Sequence, residues 1–253
     1  MKKKYFAAIL IPFCLLACTS LLAQKKQKNQ LAFQRGSLMV SISEGSTIAN
    51  YKTNYQGSSV MATPGRYKDG GIEDDSHTSP SPIHGGCMDG ERDPLIIEYG
   101  ITNKISLGMT FGNDIFTVNP AKFYGFSLSN GENIRAKTSE VTFDGSYHFF
   151  VNKRLDLSAF GGLGFFSVNF TAKDAPDANP YTYTGNGSMA RGGLRVRYYF
   201  FHRLGAFGQI SSYTGKCSPK GVSEEGANTL RGNYTTQISG SAIEAGLCYR
   251  FIR

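Results

Sequence analysis

The stretch "YGITNKISLGMTFG", residues 99–112, poses the question that decides the fold class. Its second half alternates large apolar residues with small ones, which is the two-residue period of a β-strand. The apolar set is Ile105, Leu107, Met109 and Phe111, and the small set is Ser106, Gly108, Thr110 and Gly112. In a soluble sheet the apolar face is buried, whereas in a membrane-embedded barrel it faces lipid.

The same alternation recurs along the chain and predicts eight strands. They are expected near residues 34–45, 95–101, 105–112, 141–151, 155–165, 189–200, 204–211 and 241–251. After residue 24, no apolar run in the sequence is long enough to predict a spanning helix. An even number of strands is compatible with an antiparallel barrel.

The predicted connections fall into two length classes. Short turns are expected near residues 102–104, 152–154 and 202–203. Long segments rich in Gly, Ser, Asn and Pro are expected at 46–93, 113–137, 168–187 and 212–237. This asymmetry predicts an up-and-down meander with both chain termini at the short-turn end.

The N-terminus has the order of a secretory signal peptide. Lys2, Lys3 and Lys4 precede the apolar run "YFAAILIPFCLLAC", and small residues follow it. We expect cleavage between Ala23 and Gln24, which makes 1–23 a signal peptide, 24–32 a short periplasmic segment and 33–253 the barrel domain. Lipidation of Cys18 in "LLAC" remains an alternative.

The net charge of the chain argues against nucleic acid as a partner. Of its 27 Lys and Arg residues, 24 remain after the three leader lysines are removed, against 19 Asp and Glu. A surplus this small, without a basic cluster, is not typical of nucleic-acid-binding proteins. It would be modestly favourable at an anionic lipid surface.

The faces opposite the apolar ones are suited to the inside of a narrow barrel. In the first, third and fifth predicted strands they consist largely of Gly, Ser and Thr, which fit an eight-stranded lumen. The charged residues expected to point inward and pair across this lumen are Arg191, Arg195, Arg197, Glu98, Asp144, Asp156 and Glu244.

Each short-turn hairpin has an aromatic residue before a basic turn. Tyr99, Phe149 and Tyr199 are expected at the inner membrane–water interface, where aromatic rings are enriched. The alternative is that aromatic residues near strand ends reflect only their β-propensity.

Together with the C-terminal sequence "LCYRFIR", these features resemble the small outer-membrane β-barrel family of Gram-negative bacteria, the OmpA/OmpX-like group. The leader ending "LLAQ" resembles those of the Bacteroidetes. The resemblance implies an all-β, eight-stranded antiparallel up-and-down transmembrane β-barrel in the outer membrane, with long extracellular loops and short periplasmic turns. It also implies contacts with outer-membrane lipid and lipopolysaccharide, and a C-terminal signal for the barrel assembly machinery. Tyr249 and Phe251 match that signal, although Ile252 and Arg253 follow them.

No combination of residues in the sequence predicts catalysis or a metal site. Ser146 and His148 resemble, in reverse order, the pair of outer-membrane lipid A deacylases, but they lie about 7 Å apart along one strand. His77, His84 and Cys87 match none of the usual zinc spacings. We therefore expect no enzymatic activity, no metal and no cofactor.

The cysteines that remain after signal cleavage are Cys87, Cys217 and Cys248. Cys87 and Cys217 fall in the first and last predicted loops, which become neighbours if the barrel closes. An exported chain can keep disulfides, so we predict a Cys87–Cys217 bridge, with two free thiols as the alternative. Cys248 is expected to be a small residue facing the lumen or the wall.

The functional prediction has two branches. The barrel is a scaffold whose extracellular loops bind a partner that the sequence does not identify, or it is a small pore or a lipid-active enzyme.

Overall fold

The computed structural model describes residues 31–56, 87–118, 134–172, 181–222 and 233–251, and all regular structure in these ranges is β-strand. None of the residues described belongs to a helix that could cross a membrane. The strands are β1 (Leu38–Gln56), β2 (Cys87–Arg92), β3 (Leu95–Gly100), β4 (Ile105–Val118), β5 (Ile134–Val151), β6 (Leu155–Ala172), β7 (Tyr181–Tyr199), β8 (Leu204–Val222) and β9 (Asn233–Phe251).

The strands form one closed antiparallel ring in chain order. β9 pairs with β1 along its whole length, from Leu38 opposite Phe251 to Gln56 opposite Asn233. β2 and β3 are one barrel strand, because both pair with β1 and β4 without a change of register. The ladder is interrupted at Pro94, which has no N–H to donate. The prediction of an eight-stranded up-and-down barrel is confirmed.

The register fixes the tilt of the strands. A path of paired residues around the ring runs through Leu38, Tyr99, Leu107, Gly145, Gly161, Gly192, Ser212 and Ser241 to Ile48. The path therefore returns to β1 ten residues further along. With a rise of about 3.3 Å per residue and a strand spacing of about 4.8 Å, this shift corresponds to a tilt of about 40°.

The outer wall near the short turns is a belt of exposed apolar side chains, here called the apolar belt. Leu163 and Phe165 are each 70% exposed, and Phe143 and Leu107 are 59% and 58% exposed. The small residues that alternate with them, such as Thr110 and Thr142, are buried. The apolar face of residues 105–112 therefore faces outward, as in a barrel surrounded by lipid and unlike a soluble sandwich.

Beyond the apolar belt the polarity of the wall is reversed, in what we call the outer half. Its outward side chains are largely polar, with the exposed Ile48 as an exception, and include Glu44, Ser46, Asn113, Lys137, Ser139, Asn169, Asn186, Thr214 and Ser239. Its inward side chains are largely apolar and buried, including Ala49, Met88, Phe116, Ala136, Val168, Met189 and Ile238. The strands continue for roughly 6–13 residues past the belt, which corresponds to about 15–30 Å along the barrel axis.

The outer half corrects the predicted loops. The segments 46–93, 113–137, 168–187 and 212–237 were expected to be connections, but the strands extend well into each of them. The prediction was wrong because the apolar residues move to the inward positions in the outer half, while Ser, Thr and Asn point outward. This change of parity interrupts the period by which the strands were recognised.

Two aromatic positions also differ from expectation. Tyr199 was expected at the membrane interface but is buried in the lumen, and Tyr198 is the exposed residue. Phe150 has the same parity as His148 in the sequence, which places it on the inward face. A β-bulge between His148 and Phe150 instead turns both Phe149 and Phe150 outward. Tyr99 and Phe149 are exposed near the short turns, as predicted.

Candidate functional site

The N-terminal segment of residues 31–37 closes the lumen at the short-turn end. Phe33 is fully buried, and its ring stacks on His148 with centroids 3.5 Å apart and planes within 4°. The Ala32 N–H donates to the Asn152 carbonyl at 2.6 Å, and a guanidinium N–H of Arg250 donates to the Leu31 carbonyl. The segment turns at Gly36, whose φ of 81° favours glycine.

Next to Phe33 lies a cluster of charges centred on Glu98. Its Oε2 accepts hydrogen bonds from Arg195 Nη1 and Arg197 Nη2, each at 2.5 Å. Its Oε1 lies 3.0 Å from His148 Nε2. Asp156 accepts from Arg197 Nη1 at 3.1 Å. These charges are buried and share partners across the lumen, as a buried ion-pair cluster requires.

The same cluster contains a Ser–His–Asp arrangement. His148 Nε2 lies 3.0 Å from Ser106 Oγ, and His148 Nδ1 lies 2.7 Å from Asp156 Oδ1. However, each ring nitrogen faces a carboxylate, an arrangement that suits a protonated imidazole, and a protonated imidazole has no lone pair to activate a serine. The Ser106 hydroxyl donates to Glu98 at 2.6 Å. The geometry is that of a structural ion pair.

The serine that meets His148 was not the one considered from the sequence. Ser146 lies on the same strand as His148, whereas Ser106 lies opposite Ser146 on β4. Pairing between strands brings the hydroxyl within hydrogen-bond distance, which spacing along one strand could not do.

A second cluster surrounds Arg92 at the border of the outer half. Its Nε donates to Glu244 at 2.9 Å, its Nη1 donates to Asp114 at 2.9 Å, and its Nη2 donates to Glu140. Arg191 Nη1 also donates to Glu140, at 3.0 Å. One guanidinium therefore joins carboxylates from β4, β5 and β9 to β2.

Gln209 connects the two clusters into what we call the lumenal network. It accepts from Arg195 Nε at 2.9 Å and donates to Glu244 at 3.1 Å. With His148 protonated, the buried charges balance. The cations are Arg92, Arg191, Arg195, Arg197, Arg250 and His148, and the carboxylates are Glu98, Asp114, Glu140, Asp144, Asp156 and Glu244. A neutral set is the arrangement that minimises the cost of burying charge.

Above the lumenal network lies a pocket of about 290 Å³, a volume that includes open solvent. Phe116, Phe166, Tyr213 and other mostly apolar side chains form its walls, and Asp114 and Glu140 contribute its charged groups. Tyr213 is fixed by a 2.7 Å hydrogen bond between its hydroxyl and that of Thr47. The pocket therefore shares two carboxylates with Arg92.

The predicted inward charges are confirmed. Arg191, Arg195, Arg197, Glu98, Asp144, Asp156 and Glu244 are all buried, and each is ion-paired. The sequence analysis missed Arg92 and Asp114, because both lie in segments predicted to be loops. It also missed Phe33, an isolated aromatic residue outside any periodic pattern. For Arg92 a signal existed, since it has the same parity as Glu98, three two-residue repeats further along the chain.

The cysteine prediction stays open. Cys217 lies on β8 and not in a loop, and its thiol is free and buried. Cys87 begins β2, and its side chain lies outside the described residues, as do His77 and His84. In the ring, β1 and β9 lie between β2 and β8. Cys248 is buried and donates to the Ala206 carbonyl at 3.6 Å, which confirms its inward position.

Other predicted sites are only partly covered. Cys18, Ala23 and Gln24 lie outside the described residues. Tyr249 and Phe251 contact each other edge to face with ring centroids 4.7 Å apart. Their role as an assembly signal stays a prediction. Within the described ranges, no group of three His, Cys, Asp or Glu residues is arranged to hold a metal ion.

Comparison with known proteins gives structural but not sequence matches. No family model and no curated protein matches the chain. The outer membrane protein AlkL, in lipid bilayers, is 13% identical over 91% of this chain and 97% of that chain, with a TM-score of 0.50. OprG from Pseudomonas aeruginosa is 10% identical over 87% and 98%, with a TM-score of 0.49. The outer membrane protease OmpT from Escherichia coli is 13% identical over 88% and 99%, with a TM-score of 0.45.

At these identities the likeness concerns the fold. The closed antiparallel ring, the apolar belt and the polar lumen are the features of a barrel embedded in lipid. The chain is a closed antiparallel β-barrel with the fold of the outer membrane protein AlkL.

Proposed function

We propose that the chain is a non-catalytic scaffold that carries its connecting loops above the outer membrane, where they bind an extracellular partner. The observation that carries this proposal is the reversed polarity of the outer half. A wall with polar residues outside and apolar residues inside is stable in water. The barrel can therefore project about 15–30 Å past the apolar belt and hold the loops away from the lipid.

The packing of the lumen supports a scaffold over a small pore. Phe33 fills the short-turn end, and Arg92 and Arg197 are at most 1% exposed within the lumenal network. A conducting barrel needs a water-filled interior. Opening one here would separate ion pairs on at least four strands, at a cost of several kcal/mol.

The geometry also favours a scaffold over a lipid-active enzyme. The Ser106–His148–Asp156 arrangement is sealed under Phe33 and lies near the short turns. Both ring nitrogens of His148 lie against carboxylates, which favours a structural role over that of a general base. A substrate in the outer leaflet would be at the opposite end of the barrel.

Lipopolysaccharide is the lipid partner that we propose for the lower edge of the outer half. There the wall changes from Leu163 and Phe165 to Ser167 and Asn169 along one face of β6. Hydroxyl and amide side chains at this level can hydrogen-bond to sugars, while the belt below contacts acyl chains. The barrel assembly machinery, acting on Tyr249 and Phe251, is the partner that we propose for folding.

The scaffold role can be tested in two steps. First, purified protein is inserted into planar lipid bilayers, and conductance is recorded for the full chain and for a variant that lacks residues 24–37. We expect no steps of conductance for either protein. The variant should also stay closed, because the lumenal network fills the barrel even when the segment that carries Phe33 is removed.

Second, protein in liposomes is treated with a protease that cuts the connection at residues 57–86. We expect the strands to remain folded and resistant to heat in detergent gels, because the outer half has its own apolar core. Regular conductance steps, or unfolding after cleavage, would contradict the proposal.

A further inference from the structure

The rim of the barrel at the short-turn end carries charges of one sign only. Its described residues are 31–37, 101–104, 152–154 and 200–203, and none of them is Asp or Glu. The basic residues, here called the basic rim, are Arg35, Lys104, Lys153, Arg154 and Arg203. Arg203 is half-buried and the other four are exposed.

The nearby carboxylates do not neutralise the basic rim. Glu98 and Asp156 are buried in the lumen and engaged with Arg195, Arg197 and His148. His202 adds no charge at neutral pH, because partial burial, together with Arg250 and Arg203, lowers its pKa. The rim therefore has a net positive charge toward its surroundings.

The outer half has the opposite balance. Its exposed charged side chains, where their exposure is described, are Glu44, Asp89, Glu91, Asp93, Lys137 and Lys216. Among the side chains whose exposure is described, positive charge is thus concentrated at the short-turn end of the barrel.

The basic rim lies at the level of the membrane interface. Lys153 and Arg154 follow the exposed pair Phe149 and Phe150, and Arg203 follows Phe200 and Phe201. Exposed aromatic rings of this kind sit among lipid headgroups. Because the turns contain only three or four residues, their basic side chains cannot project far beyond those rings.

We propose that the basic rim binds the anionic headgroups of phospholipids in the inner leaflet. Lys and Arg side chains beside interfacial aromatic rings meet phosphate groups while their aliphatic stems stay against the apolar belt. A binding site for a soluble acidic protein would need basic side chains that project into water. The side chains of the basic rim instead lie next to the apolar belt. The rim would bind lipid whether or not the loops have a partner.

The test uses the full mature chain in nanodiscs. The probes are phosphatidylcholine alone and phosphatidylcholine with about one third phosphatidylglycerol. We expect the anionic lipid to raise the midpoint of thermal unfolding by roughly 5–10 °C at low salt and to lose most of this effect in 0.5 M salt.

The test variant is K104Q/K153Q/R154Q/R203Q, and the matched control is K137Q/K216Q in the outer half. We expect the test variant to unfold like the parent in phosphatidylcholine and to lose most of the shift caused by phosphatidylglycerol. The control variant should keep that shift.

Three results would overturn the proposal. They are no shift with phosphatidylglycerol in the parent, an equal shift in the test variant, or loss of the shift in the control. Soluble polyglutamate provides a further check. If it raises the midpoint of the parent and phosphatidylglycerol does not, the partner is an acidic macromolecule and the assignment to lipid is wrong.

Discussion

Replacing Arg92 by Met should show how much the lumenal network contributes to the free energy of unfolding. The substitution keeps most of the volume of the side chain but removes a buried guanidinium that contacts Glu244, Asp114 and Glu140. Breaking a buried ion pair by removing one partner costs about 3–5 kcal/mol, because a charge remains buried without compensation.

Three carboxylates lose this partner, but the cost should not be three times as large. Glu140 keeps its 3.0 Å hydrogen bond from Arg191, and Glu244 keeps the 3.1 Å bond from Gln209. Asp114 keeps the 2.9 Å bond from the Thr138 hydroxyl. We therefore expect Arg92→Met to lower the free energy of unfolding by about 3–5 kcal/mol at pH 8.

The sign of the pH dependence follows from the same geometry. A carboxylate that has lost its cation is less costly when protonated, so the deficit of Arg92→Met should shrink between pH 8 and pH 5. Lys137→Met, at an exposed position of the outer half, is the matched control and should change stability by less than about 0.5 kcal/mol.

The assay is denaturant unfolding of protein in phospholipid vesicles, followed by far-UV circular dichroism. Equal slopes for parent and variant would show that the same surface is exposed on unfolding. A loss below about 1 kcal/mol at pH 8, or a loss that grows toward pH 5, would refute the assignment of Arg92 as the central cation.

Three further substitutions test separate parts of the structure. Gly108→Ala should destabilise by about 1–3 kcal/mol, because its Cβ would lie 2.7 Å from the Ile97 carbonyl, whereas Gly145→Ala meets nothing within 4 Å and should be neutral in the same unfolding assay. Phe33→Ala should cost about 3 kcal/mol in the same unfolding assay, because Phe33 is fully buried at the short-turn end of the lumen; a loss below about 1 kcal/mol would contradict the closure of the lumen by this ring. Glu98→Gln should cost about 3–5 kcal/mol, because Arg195 and Arg197 lose their shared carboxylate, and the exposed Glu44→Gln should be silent; equal effects of the two on the denaturation midpoint would refute the Glu98 cluster.

The half of the barrel within the membrane could be predicted from the sequence. In β4 and β5 large apolar residues such as Phe111 and Phe143 alternate with small or polar ones, because one face meets lipid and the other a narrow lumen. The same parity correctly placed Arg191, Arg195 and Arg197 inside. The same parity places Tyr199 inside with Arg197. Tyr199 was instead predicted at the membrane interface because its aromatic character was given more weight than its position in the strand.

The outer half could not be predicted in the same way. After Phe165 on β6 the apolar residues change parity, because Phe166 and Val168 point inward while Ser167 and Asn169 point outward. Around Gly185, Asn186 and Gly187 both faces carry small or polar residues, so no continuous period marks these strands. Arg92 and Asp114 were not recognised as lumenal residues, because both lie in segments that were predicted to be loops. The contact of Phe33 with His148 joins residues far apart in the sequence through tertiary packing, which local periodicity does not encode.

The central claim is that the wall changes polarity along each strand, from apolar outside to apolar inside. It is tested most directly by spin labels at single cysteines on β5, placed at 137, 139, 143 and 147 in a background without other cysteines and measured in vesicles. The account predicts that labels at 143 and 147 are accessible to oxygen dissolved in the lipid, and that labels at 137 and 139 are accessible to a water-soluble nickel chelate. Oxygen accessibility at all four positions, or protection of 143 and 147 from both reagents, would contradict it.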